Sequence, residues 1–435
     1  MNVRSKNLCF RQGNLSQSGL FPHKELAEAQ ELFFEFNFGL NKLPNEPGLI
    51  TVRGPRQFGK STWLEIELYK TLKEFGAGSA FYLNGDDLSS ADALQQEIEL
   101  LIPFFSQGSV RRLFIDEITA VPDWQRIIKR LIDRGDLKDV LVITTGSKAL
   151  DLRRGNERLP GRKGKLSRSE YIFLPLSYQA FAQKTESRFK DNTWIAYLLS
   201  GGSPLMANDL WQHGKLQDYA IQLTRDWILG ELVASGRNRQ SLFAILQYLL
   251  RVGGSPVGYA KLARETGLAN NTVASGYIEQ LSDLLCLMPS WPWDSQKEIL
   301  ILRKPCKFHF INLAAAVAFH PSALRSVADW EGLDADDKAK WLEWLVAQEL
   351  WRRSILAQDN NSEALAFWQS KTHEIDFFSP AHEYIEVKLG KASPFEFDWF
   401  CHIFPKTDLT VICKTPFSQG HISGKTIDTW LREVG

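Results

Sequence analysis

A chain of 435 residues is longer than one hydrophobic core organises, so about two to four domains are expected. Hydrophobic residues at 44% and charged residues at 23% are ordinary for folded protein, which argues against a disordered or collagen-like chain. Lys plus Arg and Asp plus Glu both total 51, so an overall basic field is excluded and any nucleic-acid contact must come from a local patch.

The cysteines Cys9, Cys286, Cys306, Cys401 and Cys413 form no Cys-x-x-Cys pair, so neither a zinc site nor a disulfide framework is signalled and a cytoplasmic setting is expected. The polar start MNVRSKNLCFRQGN does not read as a signal peptide, and no apolar run is long enough to span a bilayer, so no membrane partner is expected. The fourteen Trp residues are read as core filling rather than as a nucleotide-stacking surface.

In chain order, KELAEAQELFFEFNFGL at 24–40 has helical spacing, and NKLPNEPG breaks it ahead of the apolar strand LITV. Strands follow at SAFYLN, RRLFID and DVLVITTG, with a helix expected over 123–134 between the last two. Strands alternating with helices imply a parallel, three-layer α/β sheet. Past residue 180 the segments become helical and rich in Leu and Trp. Beyond the Pro- and Trp-containing stretch at 291 to 293, the runs ILILR, FHFIN, IDFF, YIEVK and LTVIC predict a mixed sheet.

Chemistry enters at Gly54-Pro-Arg-Gln-Phe-Gly59-Lys60-Ser61, which satisfies the Walker A pattern G-x-x-x-x-G-K-[ST] between a strand and a helix. Amides of Gln57, Phe58, Gly59 and Lys60 at a helix start can meet phosphate oxygens. Lys60 would neutralise the β and γ phosphates of ATP and Ser61 would ligate Mg²⁺; Gly54 and Thr62 complete the nucleotide-binding set. In RRLFIDEI an apolar strand delivers Asp116 and Glu117 to its carboxyl end, the Walker B arrangement, with Asp116 on Mg²⁺ through water and Glu117 as general base. Taken alone, an Asp-Glu pair at a strand end is commonly a solvated cap; Walker A upstream gives it the functional reading. The strand VLVITTGS ends where an additional-strand ATPase carries its γ-phosphate sensor, making Ser147 and Thr145 the candidates. The basic run RRGNERLPGRKGKLSR contains Arg162, read either as an arginine finger, in its own subunit or in a neighbour of a homo-oligomer, or as a loop that stays solvated or touches nucleic-acid phosphates.

These pieces, GPRQFGKST, LFIDEITAVPDWQRIIKRLID, ITTGSKAL, LPGR with FLPLSYQAF, and late EIDFF and YIEVKLG, lie in the order seen in a known family. The chain resembles, over nearly its whole length, the prokaryotic AAA-type ATPases that open with GPRQ-x-GK[ST]T and end in a nuclease-like domain. The resemblance implies an α/β fold with a P-loop AAA-type ATPase domain at 1–182. A helical lid and winged helix would follow at 183–290, and a restriction-endonuclease-like α/β domain at 291–435. The family pattern commonly has an acid where KFHFIN has Asn312, a departure that leaves the family's role at this position open.

Within the middle region, PVGYAKLARETG and LANNTVASGYIEQLSDL have helix-turn-helix spacing. Gly267 would make the turn, Asn270 or Asn271 the cap, and Asn271, Thr272 and Ser275 the face presented to a DNA major groove. The alternative is a packing or oligomerisation module, since this helix carries little positive charge. In the tail, Asp376 lies in one strand and Glu386-Val387-Lys388 in the next, and alternation puts Glu386 and Lys388 on one face. Together they make the Asp…Glu-x-Lys constellation of PD-(D/E)XK nucleases. Asp376 and Glu386 would gather Mg²⁺ with Glu343 as third acid, and Lys388 would activate water. Glu349 is the less favoured third acid because it does not share a helical face with Glu343. The same constellation also arises from surface salt pairs, and the fold alone does not license cleavage. The expected function is a Mg²⁺-dependent ATPase whose nucleotide state controls a DNA-directed activity, with cleavage by the tail as one form. A nucleotide-gated DNA- or partner-binding regulator with a non-cleaving tail is the alternative.

Overall fold

The computed structural model describes residues 1–146, 165–357, 365–378 and 383–434. Its contacts divide the chain into two compact units, Met1–Leu174 and Pro175–Gly435. Among the described residues no helix is long and apolar enough to cross a membrane.

The first unit opens with α1 (Val3–Gln12) and α2 (Pro22–Glu28) and continues as β1 (Gly48–Arg53), α3 (Lys60–Phe75), β2 (Ala80–Asn84) and α4 (Ala91–Leu101). Next come β3 (Arg112–Asp116), α5 (Trp124–Asp133), β4 (Leu141–Gly146) and β5 (Glu170–Ile172). The strands form one parallel sheet in the order β2-β3-β4-β1-β5. All five residues of β3 and all six of β4 are buried, as befits strands covered on both faces.

The helix expected over 24–40 stops at Glu28. The buried Glu65 of α3 accepts from the amides of His23 and Lys24 and so fixes where α2 begins. Beyond α2, Phe34 and Phe38 are buried, and Phe38 meets Trp63 edge to face. The buried Arg112 guanidinium donates to the carbonyls of Leu43 and Pro44. Packing of this irregular segment overrides its helical spacing.

The second unit begins with four helices, α6 (Tyr178–Phe189), α7 (Thr193–Ser200), α8 (Pro204–His213) and α9 (Asp218–Ala234). Then follow α10 (Arg239–Val252), α11 (Tyr259–Glu265), α12 (Asn271–Asp283), β6 (Leu287–Asp294), β7 (Ile299–Leu300) and β8 (Lys307–Phe310). The chain continues through α13 (Leu313–Phe319), α14 (Ala335–Ala357), β9 (Leu365–Gln369), β10 (Glu374–Phe378) and β11 (Tyr384–Val387). It ends with β12 (Leu409–Ile412), β13 (Phe417–Gln419) and β14 (Ile422–Lys425) ahead of a last helix. The sheet is mixed, in the order β13-β14-β12-β11-β10-β9-β6-β7, with β8 also paired to β6. The expected boundary at 182 falls inside α6, and that at 290 inside β6.

Candidate functional sites in the two units

In the first unit the loop between β1 and α3 is shaped by two residues with positive φ, Gln57 at 64° and Gly59 at 100°. Position 59 has a second reason to be glycine, because a Cβ there would run into the Phe36 ring. At the loop's start, a Cβ on Gly54 would lie 2.7 Å from Phe173 Cβ. The loop thus lies directly against an aromatic cluster of Phe36, Phe38, Trp63 and Phe173. Lys60 is only 5% exposed, and its ammonium donates to the carbonyls of Gly54 at 2.9 Å and Pro55 at 2.8 Å. Ser61 and Thr62 follow in the first turn of α3, so the expected nucleotide-binding residues are contiguous at one helix start.

Strand β4 lies between β1 and β3, so their carboxyl ends bracket its own. There Thr145 Oγ1 donates to Asp116 Oδ1, and the Glu117 amide reaches both Asp116 Oδ1 at 3.2 Å and Thr145 Oγ1 at 3.1 Å. Glu117 has φ 45°, in the left-handed region, which turns the chain sharply after the strand. Gly85, in the turn after β2, presses on this bend so closely that a Cβ there would overlap the Glu117 carbonyl. Asp86 in the same turn has its carboxyl raised by burial and then by the charges of Glu117 and Asp116, with Arg56 opposing. Gly85 and Asp86 were not among the expected site residues; the run LNGDD at the end of a strand was their only signal. Thr145, expected as a sensor, is wholly buried and hydrogen-bonded to Asp116. Ser147 and Arg162 lie outside the described residues.

In the second unit, α11 and α12 are joined through Gly267 at φ 69°, and Asn270 caps α12 by accepting from the Val273 amide at 2.9 Å. Asn271 and Thr272 are exposed and Ser275 half-buried. The positive charge that α12 lacks arrives from outside it. Arg237 lies against Gly276 so closely that a Cβ there would strike its guanidinium, and its Nε donates to Gln280 Oε1 at 2.9 Å. After α12, β6 and β7 pair antiparallel through Trp293 with Leu300 and Asp294 with Ile299.

The acids of the tail converge. Asp376 Oδ2 accepts from the Val387 amide at 2.9 Å, and the Asp376 amide donates to Glu386 Oε2 at 3.3 Å. The ammonium of Lys388 sits 2.6 Å from Glu386 Oε1. Burial raises Glu343 to about 8, assisted by Asp376, Glu374 and Glu386 and opposed by Lys307. Burial and then Asp376 raise Glu386 to about 7 against the pull of Lys388. Glu343 rather than Glu349 belongs to this group: Glu349 is held elsewhere, accepting from Tyr197 Oη at 2.5 Å and Arg352 Nη1 at 2.8 Å. Asn312 caps α13 through its Oδ1 and the Ala315 amide.

An unexpected member completes the group. Lys307 of β8 has a side chain 1% exposed, and its ammonium lies 2.7 Å from Glu374 Oε1 and 3.0 Å from Asp376 Oδ1. Burial opposes its charge, yet Asp376, Glu343 and Glu374 hold it above the usual lysine range. His309, two residues on, is fully buried against Phe377 and kept neutral, its pKa lowered to about 3 by burial and by Lys307. The run KFHF alternates like a half-exposed strand, but all four residues of β8 are buried, so Lys307 had no sequence signal. Both oxygens of Asp376 and both of Glu386 accept from protein donors. Among the described residues no group of three or more His, Cys, Asp or Glu is arranged to hold a metal ion. The acids expected to gather Mg²⁺ are brought together with a lysine ammonium on Asp376, and Glu343 Oε2 is buried without a hydrogen-bond partner.

Residues 46–182 match a family model described as an AAA domain. Among solved structures, the Walker-type ATPase of Pyrococcus abyssi is 13% identical at a TM-score of 0.43, with 71% of this chain and 97% of that chain covered. A RuvB variant of Thermotoga maritima is 15% identical at a TM-score of 0.30, covering 59% and 85% respectively. Cdc6p from Pyrobaculum aerophilum is 14% identical at 0.29, covering 65% and 90%. No curated protein matches the chain in sequence. The family match and the parallel five-strand sheet make the first part of the chain a nucleotide-binding, AAA-type P-loop domain of ATPase-like fold.

Proposed function

We propose that the chain binds ATP with Mg²⁺ and hydrolyses it, and that its nucleotide state controls a DNA-directed activity of the second unit. The observation that carries the first part is the arrangement at the carboxyl ends of β1, β3 and β4. A positive-φ loop with a buried ammonium lies on one side of β4, and a hydrogen-bonded Asp116 followed by Glu117 at a left-handed bend lies on the other. Amides of residues 57 to 60 receive the phosphates. Lys60 exchanges two neutral carbonyls for the β and γ phosphate oxygens, a gain in charge pairing that drives binding. Ser61 and Asp116 are hard oxygen donors suited to Mg²⁺, which when bound neutralises charge between the β and γ phosphates. Glu117 accepts the proton of the attacking water, and Thr145 positions Asp116 and the Glu117 amide. Ser147 is assigned as γ-phosphate sensor and Arg162 as finger, which in the trans form makes the active species a homo-oligomer.

For the second unit, the region from Arg239 to Leu300 is read as a winged helix, with Asn271, Thr272 and Ser275 toward DNA bases. Arg237, delivered onto α12, supplies the cation that a phosphate contact requires. The sheet that follows is read as nuclease-like, on the convergence of Glu343, Asp376, Glu386 and Lys388. The commitment of its carboxylate oxygens to protein donors favours a domain that holds DNA without cutting it.

The test is phosphate release and duplex-DNA affinity measured on the same protein, each with and without the other ligand. Linkage requires ATP and DNA to change one another's binding by the same factor. Lys60→Ala is expected to lose nucleotide binding, Arg237→Ala to weaken DNA binding, and plasmid DNA to stay intact with Mg²⁺ or Mn²⁺ and ATP. Absence of nucleotide affinity in calorimetry ends the ATPase reading; nicked plasmid, lost in Asp376→Ala, ends the non-cleaving one.

A further inference from the structure

We infer that Lys307 is a built-in counter-cation that stands on Asp376 and Glu374 where a nuclease-like domain would carry its divalent ion. The inference rests on reading this sheet as nuclease-like; what it adds is the identity of the charge that occupies the centre.

The observations are geometric. A strand that in a half-exposed sheet would turn Lys307 to water instead carries it through the interior, past the Phe367 ring at 5.3 Å. Its ammonium ends between the carboxylates of Glu374 and Asp376, at 2.7 and 3.0 Å, the distances of charge-assisted hydrogen bonds. A lysine whose side chain is 1% exposed is not an incidental surface pair, because stripping its hydration is costly unless opposite charge meets it. Here two acids meet it directly and Glu343 adds to the field. The other oxygens of Asp376 and Glu386 also have protein donors: Asp376 Oδ2 the Val387 amide, Glu386 Oε2 the Asp376 amide, and Glu386 Oε1 Lys388, whereas Glu343 Oε2 is buried without a hydrogen-bond partner.

A divalent ion seated on Asp376 and Glu386 needs six or more oxygen donors, waters included, and would bring its two charges against the buried ammonium 3.0 Å from Asp376 Oδ1. The arrangement therefore opposes the ion by repulsion. Removing the ammonium while keeping its apolar stem, as in Lys307→Met, leaves Glu343, Glu374, Asp376 and Glu386 with Lys388 as their sole remaining lysine in this group. That excess of negative charge is what a divalent ion neutralises.

The experiment uses the full chain without nucleotide, titrated with Mn²⁺ and followed by electron paramagnetic resonance of free Mn²⁺ and by thermal melting. Neither wild type nor Asp376→Asn is expected to take up Mn²⁺ at this group or to melt higher when it is added. Lys307→Met is expected to bind Mn²⁺ at least about tenfold more tightly and to melt higher with it, a gain abolished in Lys307→Met/Asp376→Asn. If Lys307→Met folds only when Mn²⁺ is supplied, that too supports the assignment. Mn²⁺ binding by wild type that disappears in Asp376→Asn overturns it, as does a folded Lys307→Met that takes up no ion. Duplex-DNA affinity, measured in parallel on wild type, separates the two levels: its absence strikes the DNA-directed reading and leaves the cation assignment standing.

Discussion

Lys60 and Lys307 are both buried cations, 5% and 0% exposed, yet the groups that hold them differ in kind. Lys60 donates to two backbone carbonyls of its own loop, dipoles that carry no net charge. Lys307 is held by two carboxylates from another strand. A triphosphate offers Lys60 full negative charge in exchange for dipoles, so the loop is ready to trade partners. Lys307 already meets full negative charge, and its release would strand acids and ammonium alike in a dry interior. The first arrangement suits a ligand that comes and goes; the second suits a permanent structural charge.

That contrast is broken most decisively at Glu117. Glu117→Gln is expected to lower phosphate release by about a hundredfold or more while leaving nucleotide affinity intact, checked by a phosphate assay beside calorimetry. Equal turnover in the variant removes the general base. Next in size, Asp376→Asn takes one of two carboxylates from Lys307 and is expected to cost the second unit about 3 kcal/mol in urea unfolding, with ATP turnover unchanged. A smaller, local effect is expected for Gly85→Ala, which forces the new methyl against the Glu117 carbonyl. Turnover should fall about tenfold, a displaced base rather than an absent one. The smallest is a pH effect at Glu343, which faces Asp376, Glu374, Glu386 and Lys307. Its folded pKa of about 8 lies above the ordinary glutamate value of 4.5, so the folded form binds the extra proton. Stability is full below that lower value and declines as pH rises through about 8. Glu343→Gln should flatten that decline and gain about 1–2 kcal/mol at pH 9, read from thermal melts at pH 6 and pH 9.

The phosphate loop was legible because its chemistry is local: one strand, one glycine turn and one helix start supply every group, so contiguous letters encode it. Asp116 and Glu117 were legible for the same reason, as the last letters of an apolar strand. Much of the sheet order, and Gly85 against Glu117, depends on chain crossings that no local pattern records. The helix over 24–40 was misread because Phe34 and Phe38 serve a tertiary aromatic cluster, whose demand outweighs helical spacing. In the tail, Glu386 and Lys388 were legible by strand alternation, Asp376 by the hairpin-length connection between its strand and theirs, and Glu343 by the family resemblance. Lys307 was not, because alternation in KFHF presumes one wet face, and β8 has none. Arg237 was invisible for a related reason, since a charge on a helix surface need not be written in that helix.

Strand β6 starts only a few residues after α12 and uses its backbone on two sides. Residues Leu287 to Ser290 pair with β8 along one edge, and Ser290 to Pro292 pair with β9 along the other. Cutting the chain at residue 290, where the sequence suggests separating its middle from its tail, would sever that strand and bare the edges of both neighbours. Fragments made there should clump through those open ladders, whereas cleavage at Leu174 and Pro175 would spare every pairing of both sheets.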